Sequence, residues 1–152
     1  MSKVETCLWF ETDGAEAARF AVSLIPGSDV TSEVPGAPDG PPLMVTYHLA
    51  GVPYVNLNGG PQFKLTEAAS IMVWTEDQAE TDRLWEAITA DGGAPSMCGW
   101  CKDRFGVSWQ VIPRALPALI GGPDMAAAGR ATQAMLQMQK IDIATLEAAY
   151  KG

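Results

Sequence analysis

Histidine is almost missing from this chain: His48 is the only one among 152 residues. That excludes a histidine cluster around a transition metal, and it excludes any Ser-His or Cys-His pair built on a second base. Basic residues are also few. Ten Lys and Arg stand against 18 Asp and Glu, a formal net charge of −8, so phosphate backbones and anionic membrane surfaces do not meet the clustered cations they require. No nucleic acid partner is expected. No apolar run approaches the roughly 20 residues that span a bilayer, and Met1 to Phe10 lacks a basic stretch followed by an apolar one. Neither a membrane partner nor secretion is expected. Three cysteines, Cys7, Cys98 and Cys101, make an odd set, which favours reduced thiols over a disulfide framework and a cytoplasmic location with them.

What the chain does have is apolar content, 47% of its residues, enough for one sizeable core and too little length for two ordinary independent domains. One unit over 1–152 is expected, made of a first module (1–66), a second (67–113) and a helical tail (114–152). Glu5 to Phe10 reads as a strand, and Asp13 with Gly14 opens a helix whose apolar positions Ala17, Phe20, Ala21 and Leu24 recur at helical spacing. Val30 to Val34 reads as a strand and the proline-rich stretch Pro35 to Pro42 as an exposed loop. Leu43 to Ala50, with Val45, Tyr47 and Leu49 on one face, pairs with Tyr54 to Asn58 as a hairpin turning at Gly51 to Pro53. A second cycle follows: strand Ser70 to Thr75, helix Asp77 to Ala90 with Ala79, Leu84, Trp85 and Ile88 as its apolar positions, then strands Ser96 to Lys102 and Gly106 to Ile112 around a turn at Asp103 to Phe105. The tail reads as a helical turn at Pro113 to Gly122, a helix over Pro123 to Gln139 and a last helix over Asp142 to Tyr150. Met135 and Met138 there are expected to pack against a core or a partner.

The order strand, helix, strands, seen twice, is joined by the strings CLWF at Cys7 to Phe10, LNGGP at Leu57 to Pro61, LWEAITADGG at Leu84 to Gly93 and GWCKDRFGVSWQ at Gly99 to Gln110. Together they resemble the PhnB-like family of the vicinal oxygen chelate superfamily, which includes glyoxalases, extradiol dioxygenases and antibiotic-resistance proteins. The resemblance, taken to run on through the tail string LQMQKIDIATLEAAY, implies an α+β fold: two βαβββ modules forming curved mixed sheets, with C-terminal helices added. Relatives often carry a name referring to 3-demethylubiquinone-9 3-methyltransferase. Phe20 and Ala21 stand where relatives usually have Phe and Tyr, and Cys101 where Leu is common.

Metal-dependent members of the superfamily place four His, Glu or Gln ligands on equivalent strands. By the resemblance those positions fall at Glu5, Asn56, Ser70 and Gln110, of which only Glu5 is anionic. Neutral Ser, Asn and Gln cannot replace the hydration shell of a divalent cation, so no metal and no cofactor are expected. Two readings of these four stay open, a hydrogen-bonding lining for a small polar ligand or satisfied structural polars. The expected pocket comprises Glu5, Cys7, His48, Asn56, Asn58, Ser70, Trp74, Trp109 and Gln110, with Glu5 the candidate acid or base. His48, on the strand face of Met44 and Thr46, lies in the pocket or at the surface. Cys98 and Cys101 form a C-x-x-C read as strand, away from the helix N-terminus that lowers a redox thiol's pKa. Asp103 and Gly106 are expected to serve turn geometry. Methyl transfer is not expected, because LNGGP ends a hairpin and opens no helix as a nucleotide-type cofactor fold requires. The sequence therefore points to a small-molecule binding protein or a metal-independent enzyme, to be weighed against a divalent-metal glyoxalase-like or dioxygenase-like catalyst, and to a homodimer.

Overall fold

In the computed structural model, which describes residues 2–152, the chain forms two compact units, one up to Leu65 and one from Thr66 to Gly152. The first contains β1 (Thr6–Phe10), α1 (Gly14–Leu24), β2 (Asp29–Val34), β3 (Met44–Leu49) and β4 (Val52–Asn58). Its four strands lie in the order β1-β4-β3-β2, with β1 parallel to β4 and the other neighbours antiparallel. The second unit repeats this order with β5 (Ile71–Thr75), α2 (Gln78–Thr89), β6 (Ala94–Pro95), β7 (Trp100–Lys102) and β8 (Ser108–Pro113), arranged β5-β8-β7-β6. Its β5–β8 pair is again parallel.

Strand period decides which side chains meet α1. Val45, Tyr47 and Leu49 of β3 are buried while their neighbours are not, as their alternation predicts. Through the register, Val45 stands beside Asn56 and Asn56 beside Leu8, so the buried face contains Leu8, Val45 and Asn56 together. Asp13 precedes α1 but makes no side-chain cap. The helix is capped from the sheet instead: Gly14 N donates to Asn58 Oδ1 at 2.8 Å and Asn56 Nδ2 donates to Gly14 O at 2.8 Å. Two asparagines one pleat apart thus grip both polar groups of one glycine. The β3–β4 hairpin turns on Ala50 and Gly51, both at positive φ (47° and 84°), the geometry of a two-residue primed turn. Pro53, expected in the turn, is inside β4 opposite His48. The LNGGP string has a packing reason, since a Cβ on Gly59 would lie 2.3 Å from the Trp9 ring. Trp9 Nε1 donates to Gly60 O at 2.9 Å.

In the second unit Leu84 and Ile88 of α2 are buried, but Ala79 is exposed and Thr81 takes the core position. Thr81 is acceptable there because its hydroxyl donates to Asp77 O at 2.8 Å and lies 2.6 Å from that of Thr75. The continuous strand expected over Ser96 to Lys102 is broken. Cys98 and Gly99 adopt positive φ (58° and 85°), making a tight turn between β6 and β7. Its amides are taken up from the tail, Cys98 N by Met138 O and Gly99 N by Gln139 O, each at 2.8 Å. The tail folds as α3 (Leu116–Gly121), α4 (Met125–Met135) and α5 (Ile143–Lys151), the last two capped by Asp124 and Asp142. Ile112, Leu116, Ile141 and Leu146 form its buried core, with Met135 and Met138 packed against it. Met135 and Met138 therefore pack within their own unit.

Two glycines test this account. In Gly14→Ala the new methyl would lie 2.8 Å from Asn58 Oδ1 and 3.2 Å from the Phe10 ring, so a loss of about 1–3 kcal/mol is expected in urea denaturation. Gly129→Ala, on α4 with nothing within 4 Å, is expected to gain about 1 kcal/mol from helix propensity alone.

Candidate functional site

The sheet face turned away from α1 holds Cys7, Trp9, Met44, Thr46, His48, Val55 and Leu57, as the register requires. Beside it a concavity of about 400 Å³ is lined by Ser2, Glu5, Thr31, Ser32, Thr46, Tyr47 and His48. Glu5, exposed just ahead of β1, and His48 are thus brought to one place. His48 Nδ1 lies 3.4 Å from Asp29 Oδ1. The Thr46 hydroxyl is 2.8 Å from that of Thr31 and 2.6 Å from that of Ser32; Thr31 and Ser32 gave no signal in the sequence. Cys7 is exposed, and partial burial of its thiol raises its pKa.

Asn56 and Asn58 take a different place. Asn56 is 1% exposed, accepting from Tyr47 OH at 3.0 Å and donating to Gly14 O. Asn58, besides capping Gly14, donates to Pro42 O at 2.8 Å. Both point to the α1 side of the sheet, and on β4 the residues of the other face are Val55 and Leu57. A shift of one residue along a strand exchanges the two faces, and spacing from the LNGG string does not reveal which face a position takes.

The second unit separates its predicted residues in the same manner. Trp109 is 0% exposed and donates Nε1 to Asp103 Oδ2 at 2.9 Å. Asp103 Oδ1 also accepts from the amides of Phe105 and Val107, at 2.9 and 3.0 Å, so this carboxylate ties the turn before β8 to the core. Burial raises its pKa, opposed by the bonds from Trp109, Val107 and Phe105 and by the Arg104 charge. Gln110, one residue on, faces the other way and donates to Ser70 Oγ at 2.9 Å. On that open face Met72 pairs with Gln110 and Gln110 with Trp100, and Met72 and Trp74 are 45% and 40% exposed. A second concavity, of about 380 Å³, is lined by Glu67, Ser96, Met97, Cys98, Trp100, Cys101, Lys102 and Ser108. None of these was among the expected pocket residues. The thiol of Cys101 is pushed up to about 12 by burial and by the Asp103 charge, and Cys98 Sγ lies 3.6 Å from Met135 O. A protonated, buried Cys101 is a poor nucleophile and a poor redox partner.

Over residues 2–112 the sequence matches the family described as 3-demethylubiquinone-9 3-methyltransferase. The chain belongs to that family. Among solved structures it is similar to a Bacillus cereus PhnB protein provisionally described as a 3-demethylubiquinone-9 3-methyltransferase, at 27% identity, covering 74% of this chain and 99% of that one, with a TM-score of 0.68. PA1353 from Pseudomonas aeruginosa is 19% identical over 74% of this chain and 98% of its own, with a TM-score of 0.61. FosX, a fosfomycin resistance protein of Listeria monocytogenes solved with Mn(II) and sulfate, is 13% identical over 76% of this chain and 91% of its own, with a TM-score of 0.54. These last two share the fold. No curated protein is similar enough to match. The chain is thus a PhnB-like member of the vicinal oxygen chelate superfamily, and its two mixed sheets with helices are that α+β fold. The family match ends at Ile112, so the tail string LQMQKIDIATLEAAY lies outside it.

The fold family implies a divalent cation, and the residues present do not fit one. Asn56 spends both ends of its amide on Tyr47 and Gly14, and Gln110 and Ser70 are bonded to each other. Among the described residues no three His, Cys, Asp or Glu side chains come together as a metal site. Neutral amides and hydroxyls do not compensate a cation's desolvation.

The Asp103–Trp109 bond is open to test. Because the folded pKa of Asp103 is raised, the stability linked to its protonated form is present below its ordinary value of 3.8 and is lost as pH rises through the folded pKa. Trp109→Phe strips one donor from the carboxylate. A loss of about 1–3 kcal/mol is expected from the unpaired group, on top of the packing change. Denaturation curves should show a larger loss at pH 7 than at pH 4.

Proposed function

We propose that this chain is a metal-independent small-molecule binding protein, or an enzyme that needs no metal, using the open face of its second sheet. The observation that supports the reading is the Gln110–Ser70 bond, 2.9 Å long: where the resemblance places two metal ligands stands a neutral, self-satisfied polar pair. Around it Met72, Trp74 and Trp100 supply apolar and aromatic surface, the usual make-up of a site that holds an uncharged molecule and fixes it with few polar contacts. Gln110 keeps its amide oxygen and one N–H for a ligand. Methyl transfer from a nucleotide-type cofactor is not part of the reading, because Gly59 and Gly60 lead from β4 into a segment without a helix, whereas the glycine-rich loop of such a cofactor fold opens one.

The reading includes reduced thiols and a cytoplasmic location, supported by three free cysteines. No helix is long and apolar enough to cross a membrane among the described residues. It includes a homodimer too, supported by the half-buried apolar strip of Trp9, Met44, Val55 and Leu57 on the first sheet.

Two measurements check the proposal. Elemental analysis of the purified chain is expected to find far less than stoichiometric Mn, Fe, Ni and Zn, and neutral molecules found by ligand-observed NMR should bind equally with and without EDTA but more weakly to Gln110→Leu. Stoichiometric metal that disappears in Glu5→Ala, or binding that needs a cation, would overturn it. Light scattering is expected to report twice the chain mass; a monomer would remove the dimer.

A further inference from the structure

Asn58 is followed by Gly59, and an Asn-Gly pair is prone to deamidation because glycine puts no Cβ in the path of the attacking amide. The other asparagine of the chain, Asn56, is followed by Leu57, whose side chain crowds that path. In the fold every group the reaction needs is already engaged. Gly59 N, the nucleophile, donates to Phe10 O at 2.9 Å, and Asn58 N donates to Leu43 O at 2.9 Å. The Asn58 amide is held at both ends, Oδ1 by Gly14 N and Nδ2 by Pro42 O, each at 2.8 Å. We infer that Asn58 is a modification site gated by the fold. It is inert while the first unit is closed and deamidates when that unit opens, and the product carboxylate weakens the closed form.

The reaction exchanges ammonia for water. Gly59 N attacks Cγ of Asn58, the bond from Cγ to Nδ2 breaks, and Nδ2 leaves as ammonia with the proton that Gly59 N gave up. Water then opens the five-membered succinimide. Addition at Cγ breaks its bond to Gly59 N and gives aspartate; addition at the main-chain carbonyl carbon of Asn58 breaks the other bond and gives isoaspartate. No oxidant, reductant or further reactant is required.

Three features of the closed unit oppose ring closure. Asn58 ends β4 in register with Phe10 of β1, so turning its Cγ toward Gly59 N sacrifices the strand pairing. Gly59 N–H cannot yield its proton while it is bonded to Phe10 O. The Trp9 ring lies so close to Gly59 that a Cβ there would be 2.3 Å from it, and Trp9 Nε1 donates to Gly60 O at 2.9 Å, which leaves this backbone no room to rotate. Partners of Asn58 come from the start of α1 and from the segment 42–43. The lock is therefore released by opening of the unit, not by movement of one loop. In the product, one carboxylate oxygen keeps the bond from Gly14 N. The other stands where Nδ2 stood, against Pro42 O, two acceptors with no proton between them. Isoaspartate also lengthens the main chain by one carbon and disturbs the register with β1. An opening that ends in deamidation thus leaves a chain that closes less well, and unfolding of the first unit becomes irreversible.

The test incubates the full-length protein in mildly alkaline buffer at increasing guanidinium chloride, with peptide mass spectrometry following the amide-to-acid mass rise at position 58. Isomerisation at the Asp-Gly pairs of Asp13, Asp39 and Asp91 leaves mass unchanged. In full denaturant Asn58 is expected to convert while Asn56 stays largely intact. Without denaturant conversion should be at least about 100-fold slower, and it should quicken steadily below the unfolding midpoint. Gly14→Ala, whose methyl would lie 2.8 Å from Asn58 Oδ1, should convert about tenfold faster than wild type in buffer and at the wild-type rate in full denaturant. Asn58→Asp should have a lower Tm than wild type or fail to fold. Equal rates with and without denaturant, no conversion in full denaturant, a wild-type rate for Gly14→Ala in buffer, or an unchanged Tm in Asn58→Asp each overturns the inference.

Discussion

The two-residue period of the strands is the constraint on which both units depend. Each sheet has a helix on one face, so every second side chain is committed to the core and the intervening ones are left for other uses. On β4 the committed residues are Asn56 and Asn58, on β8 Trp109 and Val111. What remains on the open faces is Val55 and Leu57 in one unit and Gln110 in the other. Any chemistry the chain performs on these sheets has to be built from the second set.

Burying polar groups on the helix side has an energetic logic. Asn56, Asn58 and Asp103 are each engaged several times over: two asparagines hold Gly14 at the start of α1, and one carboxylate collects two amides and an indole before β8. A buried polar side chain is stable only when its partners are complete, and these three meet that condition. Ser108, a buried hydroxyl with no partner among the described residues, is the exception.

The strings that signal the family prove largely structural. In LNGGP, Gly59 gives room to the Trp9 ring and Asn58 caps α1. In GWCKDRFGVSWQ, Asp103 and Trp109 close the turn before β8, while Gln110 lies on the opposite face of the strand. Residues of this kind serve backbone geometry, and strings built from them identify a fold far better than an activity.

From residues alone came the strand and helix order, the alternation of Val45, Tyr47 and Leu49, and the small stock of metal-ligating side chains. These are local properties, fixed by period, propensity and composition. Tertiary structure decided what spacing leaves open: that Asn56 turns inward, that Thr81 replaces Ala79 in the core, that Cys98 sits in a left-handed turn held by carbonyls some 40 residues later in the sequence, and that Ser108 is buried without a partner. Each of these depends on which distant group arrives at a given face, and the order of residues along one strand carries no record of that.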